Sequence, residues 1–177
     1  GSSGIGRELA LIYGREGHQV ICTGRREDKL MEVVSHFPEN LGFRLMDVTM
    51  GDETMKILER LVSDDFAPDL IIFSAGAGEL NDTLDYNREI PAMEVNVLAF
   101  TRLADWAYNL YEREGAGHLA CITSVAGLSG NRVAPAYNAS KAYQINYLEG
   151  LRQKARRSGR NIFVTDIRPG SVATDMM

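Results

Sequence analysis

Short apolar runs alternate with longer stretches of 3.6-residue apolar spacing along the whole of this 177-residue chain. That alternation is the signature of strand–helix–strand units whose strands lie parallel in a sheet. The spacing predicts a helix over 3–17 with Ile5, Leu9, Ile12 and Tyr13 on one face, then a buried strand over 19–23. A helix over 27–36 and a strand over 42–47 follow, then a helix over 52–63 with Met55, Leu58 and Val62 inward and a strand over 69–74. Two long helices, 90–113 and 137–157, are separated by a strand over 118–124 and followed by one over 162–167. The class is α/β with a doubly wound parallel sheet, and no repeat, low-complexity tract or linker divides it. At about 150 residues per domain, 1–177 is expected to be a single domain.

Composition narrows the partners. Hydrophobic residues make up 45% and charged residues 24% of the chain, the balance of a globular domain with a sizeable core. A net charge of −5 and a pI near 5.2 give a nucleic-acid backbone nothing to bind. The longest apolar runs, Leu70–Ala75 and Ile162–Val164, are strand-sized, whereas a membrane span needs about 18 residues, so no integral membrane segment is expected. Cys22 and Cys121 sit in separate apolar runs and read as reduced, buried thiols. Cytoplasmic placement is the default, with N-terminal targeting unreadable because the chain does not begin with Met.

The ends are unusual for this class. Gly1–Gly6 lead directly into a helix without the strand that should precede a glycine turn, and Pro169–Met177 leave a strand for an unfinished loop. The expectation is a domain missing its first and last strands. Its sheet order would be 3-2-gap-4-5-6, with the gap at the absent first strand.

Three groups of residues could carry chemistry. The opening GSSGIGR places Gly4 and Gly6 where a phosphate needs close backbone approach to a helix N-terminus. A glycine–serine cloning remnant would look similar, but Ile5-Gly6-Arg7-Glu8 runs unbroken into the helix. Thr23-Gly24-Arg25-Arg26 ends the next strand, where an acid would take the 2′-hydroxyl of NAD and arginine the 2′-phosphate of NADP. No acid stands there before Glu27. The competing reading is two solvated arginines paired with Glu27 and Asp28.

Tyr137 and Lys141 stand at i and i+4 on one helix face, and Ser124 lies 13 residues before the tyrosine at a strand end. A cation beside a phenol favours its ionised form, so such a phenol can exchange a proton with an alcohol or carbonyl oxygen. A surface contact would explain Tyr137 and Lys141 alone; the serine and the glycine turn favour chemistry.

Together these residues resemble the short-chain dehydrogenase/reductase family, in its compact single-domain NADP-dependent form, over all 177 residues. Ser3, Gly4, Ile5 and Gly6 match the later part of the family's TGxxxGxG turn. Asp47-Val48 resembles the pair at adenine, Ser74-Ala75-Gly76 the Asn-Ala-Gly motif, and Asn96 the asparagine that kinks the long helix. Pro169-Gly170-Ser171-Val172-Ala173-Thr174 resembles the nicotinamide-side turn. The resemblance implies a Rossmann-type fold with helices on both sheet faces. It implies an NADP(H)-dependent oxidoreductase moving hydride between nicotinamide and a carbonyl or secondary alcohol, as in a carbonyl reductase.

The same resemblance assigns roles. Tyr137 is the proton donor, Ser124 orients the substrate oxygen, Lys141 holds the nicotinamide ribose and assists the phenol, and Asn96 supports a water relay. Cofactor contacts fall on Ser3, Gly4, Ile5, Gly6, Arg25, Arg26, Asp47, Val48, Ala75, Gly76, Tyr137, Lys141, Pro169, Gly170, Val172 and Thr174, with Arg25 the main 2′-phosphate ligand. A homodimer or homotetramer through the two long helices is implied as well. Ser74 departs from the family's asparagine and puts one set of strand hydrogen bonds in doubt.

Two other functions compete. A nucleotide-sugar epimerase or dehydratase shares Tyr and Lys, but the Gly4-Ile5-Gly6 spacing argues against it. A non-catalytic NADP-binding regulator or scaffold would keep the glycines and Arg25 without needing Ser124, Tyr137 and Lys141. His18, His36 and His118 show no ligand spacing, so no metal site is expected. Tyr108, Tyr111, Tyr143 and Tyr147 read equally as core or as subunit contact.

Overall fold

A computed structural model describes residues 1–63 and 66–170. Parallel sheets flanked by helices make up the chain, which divides into two compact units whose boundary lies at Asp64 and Asp65.

The first unit runs α1 (Gly4–Arg15), β1 (Val20–Gly24), α2 (Glu27–Ser35), β2 (Leu41–Leu45) and α3 (Gly51–Ser63). β1 and β2 pair in parallel, with Cys22 opposite Phe43. Ala10, Cys22, Leu30, Val33 and Leu41 form the buried core, with Leu11, Val20, Val34, Phe37 and Phe43 packed against it.

The second unit runs β3 (Leu70–Phe73), α4 (Tyr86–Met93), a widened π segment (Glu94–Ala99), α5 (Phe100–Glu114), β4 (Ala116–Ile122), a short 3₁₀ turn (Val125–Leu128), α6 (Pro135–Ser158) and β5 (Asn161–Ile167). Its sheet has the order β3-β4-β5, all parallel. α5 packs on β4 and α6 on β5. Leu119, Ala120 and Cys121 on β4, Leu103, Ala104, Ala107 and Leu110 on α5, and Leu148 and Leu151 on α6 are buried.

The strand pairings follow the expected order. β1 bonds to β2 and β3 to β4, and no ladder joins β1 to β3 among the described residues. Helix faces are where the expectations need correction. In α1 the buried residues are Ala10 and Gly14, while Ile12 is 41% exposed. The reason is close approach: a Cβ on Gly14 would lie 2.7 Å from Leu41 Cδ2, so the helix turns its small residues to the sheet. In α3 the inward set is Thr54, Leu58 and Leu61 rather than Met55, Leu58 and Val62. Thr54 tolerates burial because its hydroxyl donates to the Asp47 carbonyl at 2.8 Å.

The helix expected over 90–113 begins at Tyr86 and is interrupted by the π segment around Asn96. Pro91, inside α4, removes one backbone donor just ahead of it. Such widenings leave helix carbonyls for partners outside the helix, and they recur at functional sites.

Candidate active site

In the first unit the glycine-rich opening turns directly into α1. Gly4 has φ 54°, a left-handed conformation that glycine reaches without a Cβ clash. Ser3 occupies the N-cap with no side-chain capping bond, and the first turn holds no acidic residue. The helix N-terminus therefore presents its N–H groups and positive dipole end without a carboxylate of its own in that turn. Ile5 and Gly6 lie in that turn.

Arg26 Nη2 donates to Ser3 Oγ at 2.8 Å and to Ser2 Oγ at 3.2 Å, which ties the end of β1 to the glycine turn. Arg25 is free of that tie: its side chain is 74% exposed and its Nη1 lies 4.0 Å from Asp47 Oδ2. Burial pulls the Asp47 carboxyl up, but two hydrogen bonds from Thr49 and the Arg25 charge together hold it below its ordinary value. Val48 follows Asp47 in the loop after β2.

In the second unit α6 opens with Pro135 in its first turn, where the missing N–H costs nothing. Tyr137, Ser140, Lys141 and Gln144 then follow at spacings of three and four that share a face. Lys141 is 3% exposed. Its Nζ donates to the Ile122 carbonyl at 3.3 Å and to Gln144 Oε1 at 3.1 Å, and it lies 5.8 Å from the Tyr137 ring centroid. Burial pushes the ammonium down to about 8, against the opposing pull of Cys121 and Asp166.

Asn96, fully buried in the π segment, completes the arrangement. Its Oδ1 accepts from the Ala77 N–H at 2.9 Å, and its Nδ2 donates to the Ala77 carbonyl at 2.6 Å and to Ser140 Oγ at 2.9 Å. Ser140 passes a hydrogen bond to the Tyr137 carbonyl at 2.7 Å, while Gln144 Nε2 donates to the Asn96 carbonyl at 3.0 Å. The loop after β3, the π segment and α6 are thereby locked into one polar circuit.

Ser124 is not the last strand residue, as expected, because β4 ends at Ile122. It caps the 3₁₀ turn, its Oγ accepting from the Ala126 N–H at 3.0 Å. Ala75 is exposed and Gly76 half-buried in the loop after β3. The Pro169 carbonyl accepts from the Val125 N–H at 3.1 Å, and Gly170 follows it. Val172 and Thr174 lie outside the described residues.

A model of the short chain dehydrogenase family matches residues 1–177. The chain belongs to the short chain dehydrogenase family. An uncharacterized oxidoreductase of Myxococcus xanthus is 32% identical over 99% of this chain and 70% of its own length. A short-chain dehydrogenase from Streptomyces avermitilis superposes with a TM-score of 0.90 at 25% identity, covering 99% of this chain and 65% of that one. A variant of actinorhodin polyketide ketoreductase, solved with NADPH, gives a TM-score of 0.88 at 26% identity, covering 99% of this chain and 69% of that one.

For a dehydrogenase of this family, the polar residues that sequence reasoning passed over are Ser140, Gln144 and Asn138. A signal for the first two was present: with Tyr137 and Lys141 they make a polar stripe down one face of α6. Asn138 gave none. Its Nδ2 donates to the carbonyls of Ala126 and Ser129, both at 2.8 Å, so it fastens the Ser124 turn to the start of α6.

Proposed function

We propose that this chain carries an NADP(H)-dependent oxidoreductase site, moving hydride between a nicotinamide cofactor and a carbonyl or secondary-alcohol substrate with Tyr137 as general acid and base. The observation that carries the reading is the buried Lys141 ammonium beside the Tyr137 ring, held by two neutral acceptors on a face shared with Ser140 and Gln144. A buried cation costs several kcal/mol to desolvate unless it serves a partner, and a nicotinamide ribose and a phenol are such partners.

The residues present fit the cofactor. A Cβ on Gly76 would lie 3.5 Å from Lys141 Nζ and 3.6 Å from Asn96 Oδ1, so the backbone beside the ammonium leaves room that a side chain would fill. α1 begins without an acidic residue, and Arg25 and Arg26 follow β1 where an NAD-type site would carry an acid. In this reading Ser3–Gly6, Arg25, Arg26, Asp47 and Val48 serve the adenosine half. Ala75, Gly76, Tyr137, Lys141, Pro169, Gly170, Val172 and Thr174 serve the nicotinamide half.

When bound, the cofactor supplies or accepts the hydride at its nicotinamide ring. Tyr137 gives its hydroxyl proton to the carbonyl oxygen in reduction and takes it back in oxidation. The Ser124 hydroxyl holds the same oxygen, and Lys141 holds the ribose hydroxyls. In this reading Asn96 supports a water relay: its amide ties Ala77 and Ser140, and its carbonyl accepts from Gln144 with a second lone pair left for water. Two free, buried cysteines fit a reducing compartment such as the cytoplasm. The partly exposed Tyr143–Tyr147 stack, 5.6 Å between centroids, fits a subunit contact through the long helices, as in a homodimer or homotetramer.

Tyr137→Phe in the full chain tests the reading, with carbonyl substrates screened by NADPH absorbance. A loss of about 10²- to 10⁴-fold in kcat with NADPH binding retained is expected. A variant as fast as the wild type overturns it, and a wild type that binds NADPH without turnover on any carbonyl favours the non-catalytic regulator.

A further inference from the structure

Asp166, the penultimate residue of β5, is a buried carboxylate to which the proposed mechanism gives no part. Its side chain is 1% exposed. On the sheet it stands opposite Cys121 of β4. Oδ1 accepts from the Thr123 hydroxyl at 2.5 Å and Oδ2 from Arg168 Nε at 2.6 Å. Thr123 immediately precedes Ser124, and Arg168 immediately precedes Pro169 and Gly170. One carboxylate thus holds both the Thr123 link from β4 to the Ser124 turn and the turn that follows β5. Backbone bonds reinforce the junction, from Thr123 N–H to the Ile167 carbonyl at 2.8 Å and from Val125 N–H to the Pro169 carbonyl at 3.1 Å.

Both partners donate, so the clamp needs two acceptor oxygens, and a buried carboxylate that supplies them is costly unless cations face it. Arg168, 37% exposed, faces it directly. Lys141 approaches the same stretch of β4: its Nζ is bonded to the Ile122 carbonyl, one residue on from Cys121, which pairs with Asp166 across the sheet. Around Lys141, α6 contributes Tyr137 and the neutral Gln144, the π segment contributes the neutral Asn96, and the loop after β3 contributes Gly76. β4 contributes Cys121, a thiol that burial pushes up and keeps protonated, and β5 contributes Asp166.

We propose that Asp166 is a positioning residue of this oxidoreductase site: its carboxylate joins the Thr123–Ser124 segment after β4 to the Arg168–Gly170 turn and is the counter-charge of the buried Lys141 ammonium. The inference rests on the function proposed above, but its test does not require turnover. Removing the anion leaves the ammonium with only neutral partners, so Lys141 gives up its proton at lower pH. Removing Arg168 relieves Asp166 of a competing cation and acts in the opposite direction.

The chain has four lysines, so Lys141 can be followed by NMR of isotope-labelled lysine in the cofactor-free full chain, assigned by its loss in Lys141→Met. Asp166→Asn is expected to lower the Lys141 midpoint by about one pH unit, and Arg168→Gln to raise it. The alkaline limb of the turnover profile should move with the midpoint in each variant. A residue that merely stabilises the junction would lower the melting temperature and leave the midpoint where it was, and that result overturns the proposal. If Asp166→Asn does not fold, the direction of the Arg168→Gln shift decides alone: upward supports the proposal, and no shift or a downward one refutes it. A chain inactive on every carbonyl would sink the oxidoreductase reading while the titration still decides the place of Asp166.

Discussion

A Cβ placed on Gly78 would lie 2.3 Å from Cδ2 of the Tyr137 ring, 2.9 Å from its Cγ and 3.1 Å from its Cβ. The loop after β3 therefore passes the phenol at backbone contact, and the ring cannot yield by rotation alone because its own Cβ is among the crowded atoms. Gly78→Ala must displace Tyr137. Misplacement by about an ångström costs about 10²-fold in rate, so kcat should fall by at least about 10-fold while the melting temperature changes little. Steady-state kinetics beside a thermal melt checks this; undiminished turnover would show that the ring need not sit where it does.

Lys141 makes stability depend on pH in a defined direction. Its folded-state value of about 8 lies below the ordinary 10.5, so between those values the unfolded chain holds a proton that the folded chain has released. Stability from this group therefore rises with pH across that window, and the cost of burying the charged form is present in full below it. Relative to Lys141→Met, the wild type should gain about 3 kcal/mol between pH 8 and pH 10.5. Urea midpoints of the two proteins across that range measure the difference, which a pH-independent offset would contradict.

Arg25 and Arg26 should separate in cofactor titrations. Arg25, exposed and unattached to the glycine turn, is free to take a 2′-phosphate. One charge-assisted hydrogen bond of about 1.5–3 kcal/mol makes Arg25→Ala about 10- to 100-fold weaker for NADPH, with NADH little changed. Arg26→Ala releases Ser2 and Ser3 and should weaken both nucleotides alike. Equal affinity for the two cofactors in wild type and Arg25→Ala would remove the phosphate assignment.

Asn138→Ala deletes both bonds that hold the Ser124 turn on α6. Leaving a partly buried carbonyl unpaired costs about 1–3 kcal/mol, so denaturant midpoints should fall. Because the change acts through Ser124, kcat should fall while NADPH affinity holds. Loss of cofactor affinity with kcat intact would place Asn138 elsewhere in the site.

The linear chain was enough for whatever depends on periodicity and nearest neighbours. Alternating apolar runs specify the parallel α/β class, and the spacing of Tyr137 and Lys141 puts phenol and ammonium on one face of α6 before any tertiary contact is made. The strand pairings β1-β2 and β3-β4-β5 follow from right-handed crossovers between consecutive units. The glycine turn and the family motif need only the order of residues, for the same reason.

What only the tertiary structure decided depends on approach distances between segments far apart in the chain. Periodicity gave α1 the face with Ile12, yet Ala10 and Gly14 face inward because Leu41 leaves no room for a larger side chain there. The break at Asn96 lies in a stretch whose apolar spacing is still helical. It takes an α6 amide, Gln144, 48 residues away, to donate to the Asn96 carbonyl. Asp166 reads in sequence as an ordinary polar residue in a strand. Its burial against Thr123 and Arg168 exists only once β4 and β5 are paired, because desolvation and counter-charge are properties of an enclosed volume and not of a sequence interval.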